Sequence, residues 1–397
     1  VRMHLNFFSF FKNFYFNAFR FFTGGLLWQF RKWKLFIRQL VDMQYIWKKN
    51  KLLSFIAESI DSIVGDKDYI FSDLFAGTWM VGKFFKERWH QVIANDLQYY
   101  SYILNQNYIG NHTNLWFSSL FWVIPDLKSA ATSTYGQIVL NYLNNLPGEK
   151  WFIYHNYSLW GTKGQLFERL YFSDENAQKC DAIRSKIQSR YDAKKINDNE
   201  YFFLLASLLE SVDKVANTAS VYGAFLKRLK KSAELKMVIQ PAEFSINHHD
   251  HIVYNEDTND IVKYTEHDVV YLDPPYNERQ YGANYHVLET IARYDNPSIK
   301  GKTWIRNYEN QKSRYCSKAH VKNEFSDLIQ NLKAKYIFLS YNDEGLMTHG
   351  EIKEIMSKKG VYWFFTKEYQ RFQADKWENR KIKQGKVTEY LHYVIVE

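Results

Sequence analysis

Residues 69–96 constrain the fold of this chain more than any other stretch. Tyr69-Ile70-Phe71-Ser72-Asp73-Leu74-Phe75 is an apolar, strand-like run. It leads directly into Ala76-Gly77-Thr78-Trp79-Met80-Val81-Gly82, a small-residue loop that opens a helix. Val92-Ile93-Ala94-Asn95-Asp96 follows as a second strand that ends in a carboxylate. Strand, glycine-bearing turn, helix, strand and terminal acid make a nucleotide-binding βαβ unit. The glycines let the backbone approach a ligand closely, and an acid at the second strand end can accept hydrogen bonds from ribose hydroxyls. Neither GxGxxG nor GxxxxGK[ST] is present, which excludes a standard dinucleotide fingerprint and a P-loop.

A second anchor lies at Val269-Val270-Tyr271-Leu272-Asp273-Pro274-Pro275-Tyr276. The first four residues are β-favouring and apolar, as in a buried strand. Asp273 stands where the strand leaves the sheet. Pro274 and Pro275 fix two successive φ angles and donate no backbone hydrogen bond. Tyr276 adds a flat aromatic face. A carboxylate, a stiff carbonyl-bearing turn and a stacking ring at one strand end form a pocket suited to a planar base, although Asp and Pro are also ordinary strand-exit residues.

The remaining text fits around these anchors. An amphipathic helix is predicted through Leu52, Leu53, Ile56, Ile60 and Ile63. Further strands are predicted near Phe244 and Val253, at Tyr336–Tyr341, and as an antiparallel edge hairpin from Val361–Phe365 and Tyr390–Val396. Residues 111–235 break the alternation, with helices predicted over Asn176–Tyr191 and Tyr201–Ala216. This region holds Asn217-Thr218-Ala219-Ser220-Val221-Tyr222-Gly223 and then Lys227-Arg228-Leu229-Lys230-Lys231. Thr218, Ser220 and Tyr222 are candidates to read base edges, and Lys227 and Arg228 to grip phosphates. A basic run is also compatible with a solvated helix face.

The net charge is +9 over 397 residues, and most of it sits in residues 1–42, a Phe-rich segment with seven basic residues and one acid. That segment reads as lying outside the functional domain, with Met43 as a possible true start. Nucleic-acid binding must therefore rest on local patches. The two cysteines lie far apart and have no metal-ligand spacing, which suits a reducing, cytoplasmic setting. His248, His249 and His251 beside Asp250 match no standard zinc pattern, so no metal is expected. No apolar run is long enough to span a membrane.

Taken together, the motifs resemble those of DNA adenine-N6 methyltransferases of the type II restriction-modification kind, with the cofactor loop before an Asp-Pro-Pro-Tyr motif. The resemblance spans residues 43–397. It implies an α/β, Rossmann-like S-adenosylmethionine-dependent methyltransferase sheet with a C-terminal antiparallel hairpin and an inserted, mainly helical target-recognition domain. The implied division is 43–110 and 236–397 for the catalytic domain and 111–235 for the insertion. The family pattern assigns Tyr45, Lys49, Asp73, Phe75, Ala76, Gly77, Thr78, Asp96 and Asp257 to S-adenosylmethionine. It assigns Asp273, Pro274, Pro275 and Tyr276 to catalysis. Arg279 and Gln280 lie in an extension similar to that of type II methylases and join the DNA-contact candidates. Duplex DNA is the implied substrate, a cognate restriction endonuclease a possible partner, and a monomer the implied state.

One departure recurs. Trp47, Trp79, Trp151 and Trp304 stand where the family pattern has Gly, with Trp89 and Trp363 as weaker cases. An indole at 79 crowds a position where Gly permits positive φ. One reading is a nucleic-acid-binding relative that has lost catalysis. The other, which suits the repetition better, is a gene in which UGA encodes glycine but has been translated as tryptophan. RNA adenine and DNA cytosine-N4 methylation are rival activities. The leading Asp of Asp273-Pro274-Pro275-Tyr276 disfavours the cytosine branch, where Ser is more usual.

Overall fold

The computed structural model describes residues 47–65, 67–370 and 386–396. The Phe-rich extension, Met43, Tyr45 and the link between the last two strands lie outside the described residues, as does the side chain of Lys49.

The described residues open with helix α1 (Trp47–Val64). Its buried Leu52, Ile56, Ile60 and Val64 recur at helical spacing, so one stripe faces the sheet. Strand β1 (Ile70–Asp73), helix α2 (Met80–Glu87) and strand β2 (Gln91–Asn95) then form the expected βαβ unit. Helix α3 (Tyr99–Asn105) runs into one π-helical turn at Gln106–Gly110. The insertion carries helices α4 (Tyr135–Asn144), α5 (Phe152–Tyr157), α6 (Asp174–Asp192) and α7 (Asp198–Val215). The last of these starts in a capping box, with Asn197 and Glu200 satisfying each other's backbone N–H groups.

Strand β3 (Ile252–Tyr254), helix α8 (Thr258–Ile261) and strand β4 (Glu266–Leu272) resume the alternation. Phe244, expected near a strand, lies in irregular chain before β3. Helix α9 (His286–Arg293) follows. A short antiparallel pair, β5 (Ile299–Lys300) with β6 (Ile305–Arg306), comes next and has no forerunner in the sequence reading. Helix α10 (Val321–Asn331), strand β7 (Lys333–Asn342), helix α11 (His349–Met356) and strands β8 (Gly360–Gln370) and β9 (Lys386–Val396) complete the fold.

The main sheet has the order β3-β2-β1-β4-β7-β9-β8. The five strands from β3 to β7 run parallel, and β9 is antiparallel to both β7 and β8. Alternate residues of the central strands feed opposite faces. Phe71, Val269 and Tyr271 pack with α1 and Phe85 of α2 on one side. Val270, Leu272, Ile337 and Leu339 pack with α10 and α11 on the other. Burial on both faces explains why the β4 sequence is continuously apolar rather than alternating.

Candidate active site

Strand order reverses between β1 and β4, and ligands in open α/β sheets bind at the carboxyl ends of strands beside such a reversal. Asp73 pairs with Tyr271 across these two strands. One bond further on, the Leu74 N–H donates to the Tyr271 carbonyl at 3.3 Å. The glycine loop and the Asp-Pro-Pro-Tyr turn therefore leave the sheet side by side. Asp273, Pro275 and Tyr276 are half-buried and Pro274 is buried. The Tyr276 ring meets Tyr341 edge-on at 6.4 Å, and its carbonyl accepts from the Leu346 N–H at 3.1 Å. The turn is thus braced against the exit of β7.

Backbone and side-chain bonds also hold the glycine loop. The Ala76 N–H donates to the Asn95 carbonyl at 2.9 Å. The Gly77 N–H donates to Asp96 Oδ2 at 2.8 Å, and the Gln98 N–H donates to Asp96 Oδ1 at 2.8 Å. Gly77 has φ +50, and a Cβ there would meet only the Phe75 carbonyl, at 3.9 Å. The backbone face over Gly77 is open, beside an acid that still has acceptor capacity for hydroxyl groups. Burial pushes Asp96 up from 3.8 to about 6 against these donors, with Glu289 adding to the rise.

Asn95 sews three loops together. Its Nδ2 donates to the Glu256 carbonyl at 3.1 Å and to Thr258 Oγ1 at 3.2 Å, and Thr258 Oγ1 donates to the Leu74 carbonyl at 2.8 Å. Asp257 is exposed and caps α8 by accepting from the Asn259 N–H at 2.9 Å. Phe75 packs edge-on against Tyr315, whose hydroxyl donates to Asn259 Oδ1 at 2.7 Å. Asp73, Phe75, Ala76, Gly77, Asp96 and Asp257 therefore gather at one edge of the sheet, and Thr78 follows in the same loop.

The DNA-contact candidates divide. Lys227, Arg228 and Arg279 are exposed, and Ser220 is half-exposed. Gln280 is engaged, exchanging two hydrogen bonds with the Ser313 backbone. Thr218 is 5% exposed and Tyr222 is fully buried. The Tyr222 hydroxyl donates to Asp213 Oδ1 at 2.8 Å, and its N–H donates to the Asn284 carbonyl at 2.7 Å. Tyr222 offers no side-chain surface to a duplex here. It joins the insertion to the segment after the Asp-Pro-Pro-Tyr turn. Of the histidine group, His251 is engaged within the fold. His251 Nδ1 accepts from the Val92 N–H at 3.1 Å and its Nε2 pairs with Asn247.

Two residues with no distinguishing sequence pattern support the site. Glu289 is fully buried and accepts from the N–H groups of Tyr99 and Tyr100, just past Asp96. Arg184, 1% exposed, donates to the carbonyls of Ile291 and Ala292 at 2.9 and 3.0 Å. It fastens α6 of the insertion to the last turn of α9.

Three tryptophans occupy left-handed backbone: Trp79 at φ 62, Trp89 at φ 69 and Trp304 at φ 57. Trp79 is 4% exposed, stacks on Tyr108 at 3.8 Å, and leaves its indole Nε1 buried without a partner among the described residues. Its ring lies under Lys83, whose Nζ is 5.1 Å from the centroid. Trp151 and Trp363 have ordinary negative φ or strand backbone. Backbone geometry thus singles out 79, 89 and 304.

Five parallel strands closed by an antiparallel pair at one edge, with an open glycine loop and a half-buried acid at the reversal, define an S-adenosylmethionine-dependent methyltransferase fold. The chain belongs to the D12 class of N6 adenine-specific DNA methyltransferases, whose pattern it matches over residues 45–355. It is 47% identical over 352 residues to the type II methyltransferase M.NlaIII of Neisseria lactamica, covering 88% of this chain and 98% of that protein. It is 37% identical over 358 residues to M.FokI of Planomicrobium okeanokoites, covering 89% of this chain but only 52% of that protein. The type II methyltransferase M.CviAII of Paramecium bursaria Chlorella virus 1 is 32% identical over 353 residues and 98% covered. Among the described residues no helix is long and apolar enough to cross a membrane.

Proposed function

We propose that this protein methylates adenine N6 at a specific site in duplex DNA, with S-adenosylmethionine as donor. It would act as the modification partner of a restriction endonuclease. The observation that carries this reading is the Leu74–Tyr271 backbone bond, which sets the cofactor loop beside the Asp-Pro-Pro-Tyr turn. S-adenosylmethionine, when bound, supplies an electrophilic methyl group. Asp96 accepts from ribose hydroxyls over the open Gly77 backbone. Adenine's exocyclic amine is a poor nucleophile because its lone pair is delocalised into the ring. The Asp273 carboxylate and the Pro274 carbonyl accept its two N–H bonds and favour a pyramidal nitrogen. Tyr276 stacks on a base drawn out of the duplex, and residues 111–235 read the flanking sequence. Much of the rate comes from positioning.

Asp273→Ala is expected to lower methyl transfer by at least about 10²–10³-fold while leaving cofactor binding intact. Labelled-methyl incorporation into duplex DNA and calorimetry on the same sample measure the two quantities. Near-normal transfer by that variant refutes the assignment.

The same reading covers the tryptophans. Loss of catalysis by drift has no reason to place indoles on left-handed backbone, whereas glycine codons read as tryptophan would do so. The natural protein would then carry glycine at 79, 89 and 304. Peptide mass spectrometry on protein from its natural source decides this: glycine at these positions is expected, and tryptophan there overturns it.

A further inference from the structure

Arg169 is a buried cation that the architecture leaves incompletely satisfied. It lies in the insertion with no exposed surface. Its N–H donates to Thr162 Oγ1 at 2.9 Å and its Nη1 to Gln165 Oε1 at 2.8 Å. Nε and Nη2 find no hydrogen-bond partner among the described residues. Those two nitrogens form one edge of the guanidinium, whose parallel N–H bonds match two acceptors held side by side. A buried charge normally keeps its place by pairing, yet among the described residues no carboxylate reaches this one. Burial holds its pKa below the ordinary arginine value, and only the nearby Tyr157 and Tyr171 oppose that.

What covers Arg169 is Trp304, in the turn between β5 and β6. The indole lies over the guanidinium, with Cζ 3.4 Å from the ring centroid. That turn is latched to the insertion at several points. Tyr157 donates to the Trp304 carbonyl, Tyr171 donates to the Thr303 carbonyl, and the indole Nε1 donates to Asn156 Oδ1. The Arg169 loop is tied to the segment that carries the candidate DNA face. Asn217 Nδ2 bridges the carbonyl of Leu170, next to Arg169, and the carbonyl of Leu226, next to the exposed Lys227 and Arg228. Lys163 is exposed on the other side of the same loop.

We propose that Arg169 becomes a DNA-contacting residue of the target-recognition insertion when position 304 carries glycine, its Nε/Nη2 edge then taking two adjacent acceptors of the duplex, and that the Trp304 indole of this sequence caps it. The proposal rests on the methyltransferase reading above and on glycine at 304 in the natural protein. Two acceptors of this geometry occur on a phosphate and on the O6/N7 edge of guanine. The insertion position and the missing carboxylate favour a nucleic-acid ligand over an internal partner.

A double-mutant cycle tests this, using fluorescence anisotropy with labelled random-sequence duplex across a salt series and calorimetry for S-adenosylmethionine. Trp304→Gly is expected to tighten duplex binding by about tenfold. Arg169→Met placed on Trp304→Gly is expected to remove that gain, whereas Arg169→Met alone changes binding little. Arg169→Lys keeps the charge without the fork and is expected to recover only part of the gain. A salt slope steeper by about one unit in the Trp304→Gly protein identifies phosphate. An unchanged slope, with the methylated sites of the Trp304→Gly protein sharing a guanine that Arg169→Lys on that background no longer requires, identifies the base. No gain from Trp304→Gly, or a gain that persists without Arg169, overturns the proposal. Cofactor binding with no duplex binding in any variant overturns the methyltransferase reading as well.

Discussion

Trp89 stands at the position after a helix where the chain turns left-handed. Its N–H donates to the Lys86 carbonyl and the His90 N–H to the Phe85 carbonyl, the two bonds of a Schellman ending to α2. The indole is 58% exposed, so little packing offsets the backbone strain. Trp89→Gly is therefore expected to stabilise the protein by about 1 kcal/mol, read as a higher urea midpoint with an unchanged slope. Trp79 differs because its indole is packed against Tyr108, so relief of strain there is offset by a lost contact. Asp96 gives a pH signature of its own. With its pKa raised to about 6, it is ionised above that value and loses its charge as pH falls through it. Cofactor affinity is expected to be flat above about pH 7 and to fall below about 6. Stability of the unliganded protein should move the other way. The folded state holds a proton that the unfolded chain releases, so this group's contribution grows as pH drops from about 6 toward 4. Calorimetry and urea melts across that window separate the two trends.

At the scale of elements, Arg184 is one of several joins between the insertion and the rest of the fold. Its guanidinium caps two terminal carbonyls of α9, the helix that also carries Glu289. Arg184→Ala strands both carbonyls in a buried place and is expected to cost about 2–3 kcal/mol. Chemical unfolding checks the size. A weaker duplex interaction with unaltered cofactor affinity would show that the damage stays on the insertion side. Elements with strong local pattern were legible from sequence: β1, β2, β4 and the β8–β9 pair fall where apolar runs and turn residues placed them. The turn between β5 and β6 was not, because a two-residue strand has no period to read. Glu289, Arg184 and Arg169 were equally hidden. Their partners are backbone carbonyls and amides brought near by packing, which no spacing along the chain encodes.

At the scale of the whole molecule, cofactor and fold are linked. A ligand that binds only the folded state at a hundred times its dissociation constant adds about 2.7 kcal/mol of stability. S-adenosylmethionine should therefore raise the melting temperature measurably, and Asp96→Ala should lose most of the shift. The edge that gathers the candidate site residues was readable because each motif ends a strand, and strand ends in a parallel sheet share one side. What the sequence could not reveal was which of the DNA-contact candidates reach the surface, since Tyr222 and Thr218 turned inward while Lys227 and Arg228 stayed out.

The pairing of β1 with β4 has a further consequence for how the protein is made. Ile70 donates its N–H to Asp268, a partner 198 residues away. At about 5–20 residues per second, β1 emerges from the ribosome some tens of seconds before the strand that completes its edge. The intervening insertion is synthesised in that interval. Helices α6 and α7, each with a side-chain N-cap, make local contacts of the kind that form quickly, so they are expected to fold in that interval, before β4 arrives to pair with β1.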